Sequence, residues 1–188
     1  MSVKETIERR RAYRSLEPVE ITDEIVNELF GAARLSASCF NNQPWRFVYA
    51  RGGERLDRLK SALSKGNEWA KAASMIVAVV SRPGLDCVVG KREYYLFDTG
   101  MATALMILRA TELGLVAHPI AGYNEKKAKA ALGVPEDARL ITLVIFGKHS
   151  DRIGSLLTEE QAKTERSRPV RKEIREFAFE DGYRDDED

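Results

Sequence analysis

Between Lys91 and Leu113 the chain carries its longest helical pattern, and the middle of that pattern has no polar side. Leu96, Phe97, Met101, Ala102, Ala104, Leu105, Met106, Ile107 and Leu108 fall around almost the whole circumference. A helix on the surface of a small monomer needs a wide polar stripe. This one is expected to be buried all round, centrally in its own domain and also against a second copy of the chain. A domain of 188 residues has few other layers to cover it. Gly114 supplies the stop signal.

The remaining pattern reads as one domain of mixed elements spanning residues 1–188, with no internal repeat. Val3–Ala12 suits a first helix. Thr22 followed by Asp23 and Glu24 caps a second helix that runs to about Leu35, with Ile25, Val26, Leu29, Phe30 and Ala33 on one face. Ser36–Pro44 is a loop, Trp45–Ala50 a short strand and Glu54–Leu63 a surface helix. Met75–Val80 is a continuous apolar run, the mark of a strand covered on both faces. Lys126–Leu132 is a short helix ending at Gly133, and Leu140–Phe146 is another apolar strand. From Ser150 to Pro169 the sequence is polar with weak periodicity, and it leads to Ile174, Phe177 and Phe179. That mixture suits an arm, about residues 150–180, packed on a neighbouring subunit. The acidic end, 181–188, is expected to be disordered.

Charge excludes several classes. Thirty basic residues face 29 acidic ones, a net charge of +1, which gives no general footprint for nucleic acid or an anionic membrane. The longest uncharged apolar run, within Thr99–Leu108, is too short to span a bilayer, and the N-terminus lacks the apolar stretch of a secretory signal. A cytoplasmic protein is expected. Cys39 and Cys87 are too few for a disulfide framework or a four-thiolate metal site, and His118 and His149 stand alone. No metal is expected.

Three stretches are left with chemistry to offer. Arg9, Arg10, Arg11 and Arg14 form one basic cluster, and Arg166, Arg168, Arg171 and Lys172 form another. Guanidinium groups match phosphate oxygens, so the two clusters suit convergence on one phosphate; a helix C-terminus also favours cations without any ligand. Ser36-Ala-Ser-Cys-Phe-Asn-Asn-Gln-Pro-Trp45 combines small residues with amides that read the edge of a heterocycle, or is an ordinary polar connection. Cys39 has no histidine near it in sequence and is expected to be an inert thiol. His118-Pro-Ile-Ala-Gly-Tyr123 is a turn able to aim a backbone amide at a ligand, or a plain strand-to-helix connection.

Taken in order, these pieces resemble the nitroreductase family of FMN-dependent oxidoreductases. The match runs from Ile7 to about Pro169 through five segments: Ile7–Arg14, Ser38–Trp45, Asp98–Ala102 continued by Leu108–Leu115, Pro119–Gly122, and Arg166–Arg168. The resemblance implies an α+β fold, a mixed or antiparallel central sheet flanked by helices, dimerising through the long helix and the C-terminal arm. It implies bound FMN at the subunit interface, with NADH or NADPH as electron donor. The oxidised acceptor would be a small molecule such as a nitroaromatic or quinone, reduced in a second step.

By the same resemblance Arg10 and Arg11 would hold the FMN phosphate and ribityl chain, helped by Arg166 and Arg168. Arg14 and Asn67 would approach the pyrimidine edge of the ring. Ser38, Cys39 and Asn41 would reach a flavin held mainly by the other subunit. Pro119, Ile120, Ala121 and Gly122 would lie beside the reactive centre, with the Ala121 amide facing the hydride-accepting nitrogen. Ala12 stands where many relatives have serine, leaving its backbone amide alone for the phosphate. Ala121 stands where many have an acidic residue, and the short 82–90 connection suggests an open pocket. The flavin carries the chemistry, so no catalytic acid or base is assigned. The alternative is a flavin-binding module or sensor without turnover.

Overall fold

The computed structural model describes residues 1–184. In chain order it contains α1 (Val3–Arg9), β1 (Leu16–Glu17), α2 (Asp23–Arg34), β2 (Arg46–Ala50), α3 (Gly53–Ser61) and β3 (Met75–Ser81). A small hairpin of β4 (Val88–Val89) and β5 (Arg92–Glu93) leads into α4 (Tyr94–Glu112), followed by β6 (Leu115–Ile120), α5 (Glu125–Leu132), β7 (Arg139–His149) and α6 (Glu159–Arg166). The expected disorder at 181–188 falls partly on Asp185–Asp188, outside the described residues.

The sheet is antiparallel throughout, and β7 is its axis. On one edge β7 pairs with β3, Ile145 opposite Ile76, and then with β1, Lys148 opposite Glu17. On the other edge it pairs with β6, Ile145 opposite His118. Strand β2 extends the sheet beyond β3, with Arg46 opposite Val80. Every residue of β3 is buried, which its unbroken apolar run requires of a strand with both faces covered.

Alternation along the strands separates two cores. Met75, Val77, Val79, Val144 and Phe146 face one side, where α2 and α4 supply Val26, Leu29, Ala33, Ala102, Met106 and Ala110. Ile76, Ala78, Val80, Leu143 and Ile145 face the other, where α3 and α5 supply Leu56, Leu59, Ala128 and Leu132. Each fully buried aliphatic side chain of this kind contributes about 1.5–3 kcal/mol. The fold is α+β, as the sequence leads one to expect.

Three local expectations need correction. The first helix stops at Arg9 rather than Ala12, because Arg168 donates to the carbonyl oxygens of Glu8 and Arg10 and turns the chain outward there. Arg10 and Arg14 therefore share no helical face. The long helix begins at Tyr94 rather than Lys91, since 88–93 is taken up by the hairpin. Within one chain a stripe of it is covered, and its expected burial against a second copy is not tested by one chain. Tyr95, Asp98, Thr99, Ala102, Thr103, Met106 and Ala110 form its covered stripe. Leu96, Phe97 and Leu105 remain 41%, 64% and 36% exposed. Finally, the polar stretch after β7 is not structureless, because α6 forms within it. Thr158 accepts the Gln161 N–H while Gln161 accepts the Thr158 N–H, a reciprocal cap that starts the helix.

Candidate functional site

Residues 10–15 run extended from α1 to β1 and lie against α6. Glu165, almost fully buried, accepts the backbone N–H groups of Arg14 at 2.6 Å and Ser15 at 3.1 Å. Arg11 donates to the last carbonyls of α6, Thr164 O at 2.7 Å and Glu165 O at 3.3 Å, where a cation also meets the negative end of the helix. Arg14 donates to the Thr164 hydroxyl at 3.1 Å. The guanidinium of Arg11 lies 4.6 Å over the Tyr13 ring, which in turn stacks on His149.

These bonds shape a cavity of about 240 Å³ walled by Arg10, Arg11, Ala12, Arg14, Arg168 and Arg171. Arg10 and Arg171 are the arginines of this wall whose side chains make no such bond, and Arg10 is the half-buried one. Among the described residues its guanidinium has no hydrogen-bond acceptor and no ion-pair partner. Burial, and then the charges of Arg168 and Arg171, hold its proton affinity below the ordinary arginine value. Several cations meeting without a counter-charge make a cradle suited to an anion. Of the two basic clusters, Arg10, Arg11, Arg14 and Arg168 converge. Arg166 does not; it stands exposed at the end of α6, outside the cavity wall.

A second group adjoins the first through α6. Gln161 donates to Gly66 O at 2.8 Å and fixes the turn that carries Asn67. Asn67 donates to Gly122 O at 3.0 Å and accepts from the Trp69 indole at 3.2 Å. A methyl group at Gly122 would lie 2.2 Å from Asn67 Nδ2, so glycine is required by this close approach, its φ not being positive. Pro119 and Ile120 belong to β6 rather than to a turn. Pro119 and Ala121 are exposed, while Ile120 is buried, with its carbonyl accepting the Thr142 hydroxyl. Gly122→Ala is expected to expel the Asn67 side chain and destabilise the fold by about 1–2 kcal/mol through the lost hydrogen bonds. Chemical denaturation would check this, and the double variant Gly122→Ala/Asn67→Ala should add little further cost if the collision is the cause.

His118 sits behind the cradle. Its Nδ1 donates to the Tyr13 carbonyl at 3.0 Å, a bond that fixes the neutral ring with its proton on Nδ1, and its ring lies 4.7 Å from that of Trp69. Burial depresses its pKa to about 4, and Arg14 and Arg10 push the same way.

The Ser36–Pro44 loop forms a separate group. Ser38 accepts the Gln43 N–H, and the Cys39 N–H donates to Asp98 Oδ2 at 2.7 Å. Asn41 is exposed in a left-handed conformation, with its carbonyl accepting from the Gln43 amide. Burial holds the Asp98 carboxyl above its ordinary value, and neighbouring Asp86 adds to this. Cys39 is not a free thiol as expected but is bonded to Cys87. The sheet register explains why: with Arg46 opposite Val80, the loop before β2 and the segment after β3 leave the same end of the sheet. Among the described residues no hydrogen bond or ion pair joins this loop to the arginine cradle.

The chain matches the family model of the Nitroreductase family over residues 7–89 and 67–148. It belongs to the Nitroreductase family. A protein of Archaeoglobus fulgidus named "Putative NADH dehydrogenase/NAD(P)H nitroreductase" is 30% identical over 148 residues, covering 76% of this chain and 82% of its own. The crystal structure of an oxidoreductase containing FMN is similar over 98% of this chain and 94% of its own, with a TM-score of 0.84 at 27% identity. A nitroreductase family protein from Clostridium novyi NT is similar over 80% of this chain and 87% of its own, with a TM-score of 0.74 at 26% identity. The chain therefore has the architecture of its family, and no helix among its described residues is long and apolar enough to cross a membrane.

Proposed function

We propose that this nitroreductase family member is a cytoplasmic, FMN-dependent oxidoreductase that takes electrons from NADH or NADPH and passes them, in a second step, to a small oxidised acceptor such as a nitroaromatic or a quinone. The observation that carries the reading is the cradle around half-buried Arg10, a meeting of cations with no acidic side chain in its wall. The 27% identical oxidoreductase containing FMN and the NAD(P)H nitroreductase name of the archaeal relative support the same reading.

The residues present fit the cofactor. Arg10, with Arg11 and Arg168, offers donors to the phosphate, and the backbone of Ala12 supplements them without the hydroxyl of a serine. Arg11 and Arg168 are already anchored on helix carbonyls, so little side-chain freedom is lost when an anion arrives. Arg14, steadied by Thr164, provides a fixed cation at the pyrimidine side of the ring, where it favours added electron density. Asn67, tied to Gly122, holds its remaining donor ready for the same edge. Bound there, FMN supplies the two-electron chemistry, and the chain supplies position and charge.

The functional unit is a homodimer with residues 1–188 as one domain; of the arm expected at about 150–180, α6 and Arg168 are held on their own chain, and the part beyond them lies on the partner. The uncovered apolar side of α4 at Leu96, Phe97 and Leu105, together with exposed Val170, Ile174 and Phe177, supports this. Ser38, Cys39 and Asn41 would then meet the cofactor of the other subunit.

The test is an absorbance spectrum of protein incubated with FMN, desalted, and mixed anaerobically with NADH or NADPH. A retained yellow band that bleaches is expected. A colourless protein would refute the cofactor assignment, and a retained band that never bleaches would leave a binding module.

A further inference from the structure

The Ser36–Pro44 loop has an unusual backbone. Phe40, Asn41 and Gln43 have φ values of 47°, 58° and 49°, in the left-handed region that side chains with a Cβ enter only at a cost. Three non-glycine residues so close together persist only where their surroundings hold them. Side chains tie the loop to its surroundings: Asp98 accepts the Cys39 N–H, Arg46 donates to Gln43 O, Ser81 donates to Pro44 O, and the Asn42 amide donates to Asp86 Oδ1 at 3.2 Å and Cys87 Sγ at 3.4 Å. One tie is covalent, the Cys39–Cys87 disulfide, whose Cα atoms lie 6.1 Å apart. It fastens the loop to the segment leading into the β4–β5 hairpin.

A chain with two full cores does not depend on a lone disulfide for its fold. The cross-link instead sits at the rim, on two half-buried residues, beside a strained loop. A small reagent can reach it.

We propose that Cys39–Cys87 is a reversible thiol-exchange site that takes a small dithiol as its reductant, and that its state sets the geometry of the 36–44 loop. A thiolate of the dithiol attacks one protein sulfur, the S–S bond breaks and a mixed disulfide forms. The second thiol of the reductant then displaces the protein sulfur. The products are two protein thiols and a cyclic oxidised dithiol, so two electrons and two protons have passed to the protein. Asp86 lies beside the cross-link. Its carboxylate lies within 4.8 Å of both sulfurs and accepts the Cys87 N–H. A monothiol leaves a mixed disulfide that needs a second thiol from solution to resolve it. A dithiol completes the exchange by closing its own ring. One consequence rests on the proposed function: Ser38, Cys39 and Asn41 face FMN, so opening the cross-link weakens flavin retention.

The test uses the full chain purified without reductant. Alkylation followed by mass measurement is expected to show no free thiol before dithiothreitol and two after it. Hydrogen exchange across 36–44 should then quicken at least tenfold, a readout that needs no flavin. After the reductant is removed anaerobically, the Kd for FMN should rise about tenfold, the scale of lost preorganisation. Cys87→Ser should behave as the reduced protein does and no longer respond to dithiothreitol. Two thiols that alkylate in the untreated protein, or loop exchange unchanged by reduction, would overturn the proposal. Equal FMN affinity in both states would overturn its link to the flavin. A chain that binds no FMN in either state, but whose loop still responds, would leave the exchange site standing and overturn the proposed cofactor instead.

Discussion

Replacing Arg10 with alanine is expected to weaken FMN binding about a hundredfold while leaving the protein at least as stable as before. The two halves of that result have one origin. Arg10 has no acceptor among the described residues, and burial together with Arg168 and Arg171 makes its charge unfavourable in the ligand-free protein. Removing the charge relieves that repulsion. In the complex the same guanidinium is a charge-assisted donor in a sheltered site, where losing one partner costs on the order of 2–5 kcal/mol. A hundredfold change is about 2.7 kcal/mol, near the lower end of that range. Fluorescence titration with FMN and a denaturant curve on the same sample measure both halves. Arg166→Ala is the control, since Arg166 stands outside the cavity wall, and it should change affinity little. If Arg10→Ala retains wild-type affinity, the cradle is not the phosphate site.

The second large effect is on stability against pH. His118 has a pKa of about 4 in the folded protein, against 6.5 for an ordinary histidine, chiefly because it is buried. Between those values the unfolded chain binds a proton that the folded chain refuses. Stability therefore falls as pH drops from 6.5 toward 4 and levels off below it. The size of the effect is about 3 kcal/mol, on the usual 1.36 kcal/mol per pH unit. Carboxylates also titrate near the lower limit, so the decisive measurement is a difference. Urea denaturation of the wild type and of His118→Gln, at steps from pH 4 to 7, should show the excess slope in the wild type alone. Parallel curves would mean that His118 is protonated in the fold.

Much of the architecture was legible because it follows from periodicity. The unbroken run Met75–Val80 can only be a strand covered on both faces, and the α2 face from Ile25 to Ala33 has one direction to point. The convergence of Arg10, Arg14 and Arg168 was legible from charge only as one of two readings, and the family resemblance singled it out, for nothing local brings residues about 150 positions apart together. The cross-link between Cys39 and Cys87 escaped reading for a similar reason. It depends on the register of β2 against β3, a property of two strands that neither sequence carries alone. The α6 helix was a different kind of omission. Thr158 and Gln161 have the spacing of a reciprocal cap, a local and readable signal, masked by the weak apolar periodicity that follows. With α6 went Glu165 and Gln161, which hold the arginine segment and the Asn67 turn in place.

That bracket has a consequence for the order in which the protein matures. The contacts between residues 10–15 and α6 close a loop of about 150 residues, and long loop closures come late because their entropy is offset only when the chain between is already ordered. Both cores are complete once β7 is in place, whereas the cradle waits for α6 and Arg168, which follow β7 in the chain. A chain clipped near His149 is thus a body with both cores and no arginine cradle, and on the proposed reading it has no grip on FMN.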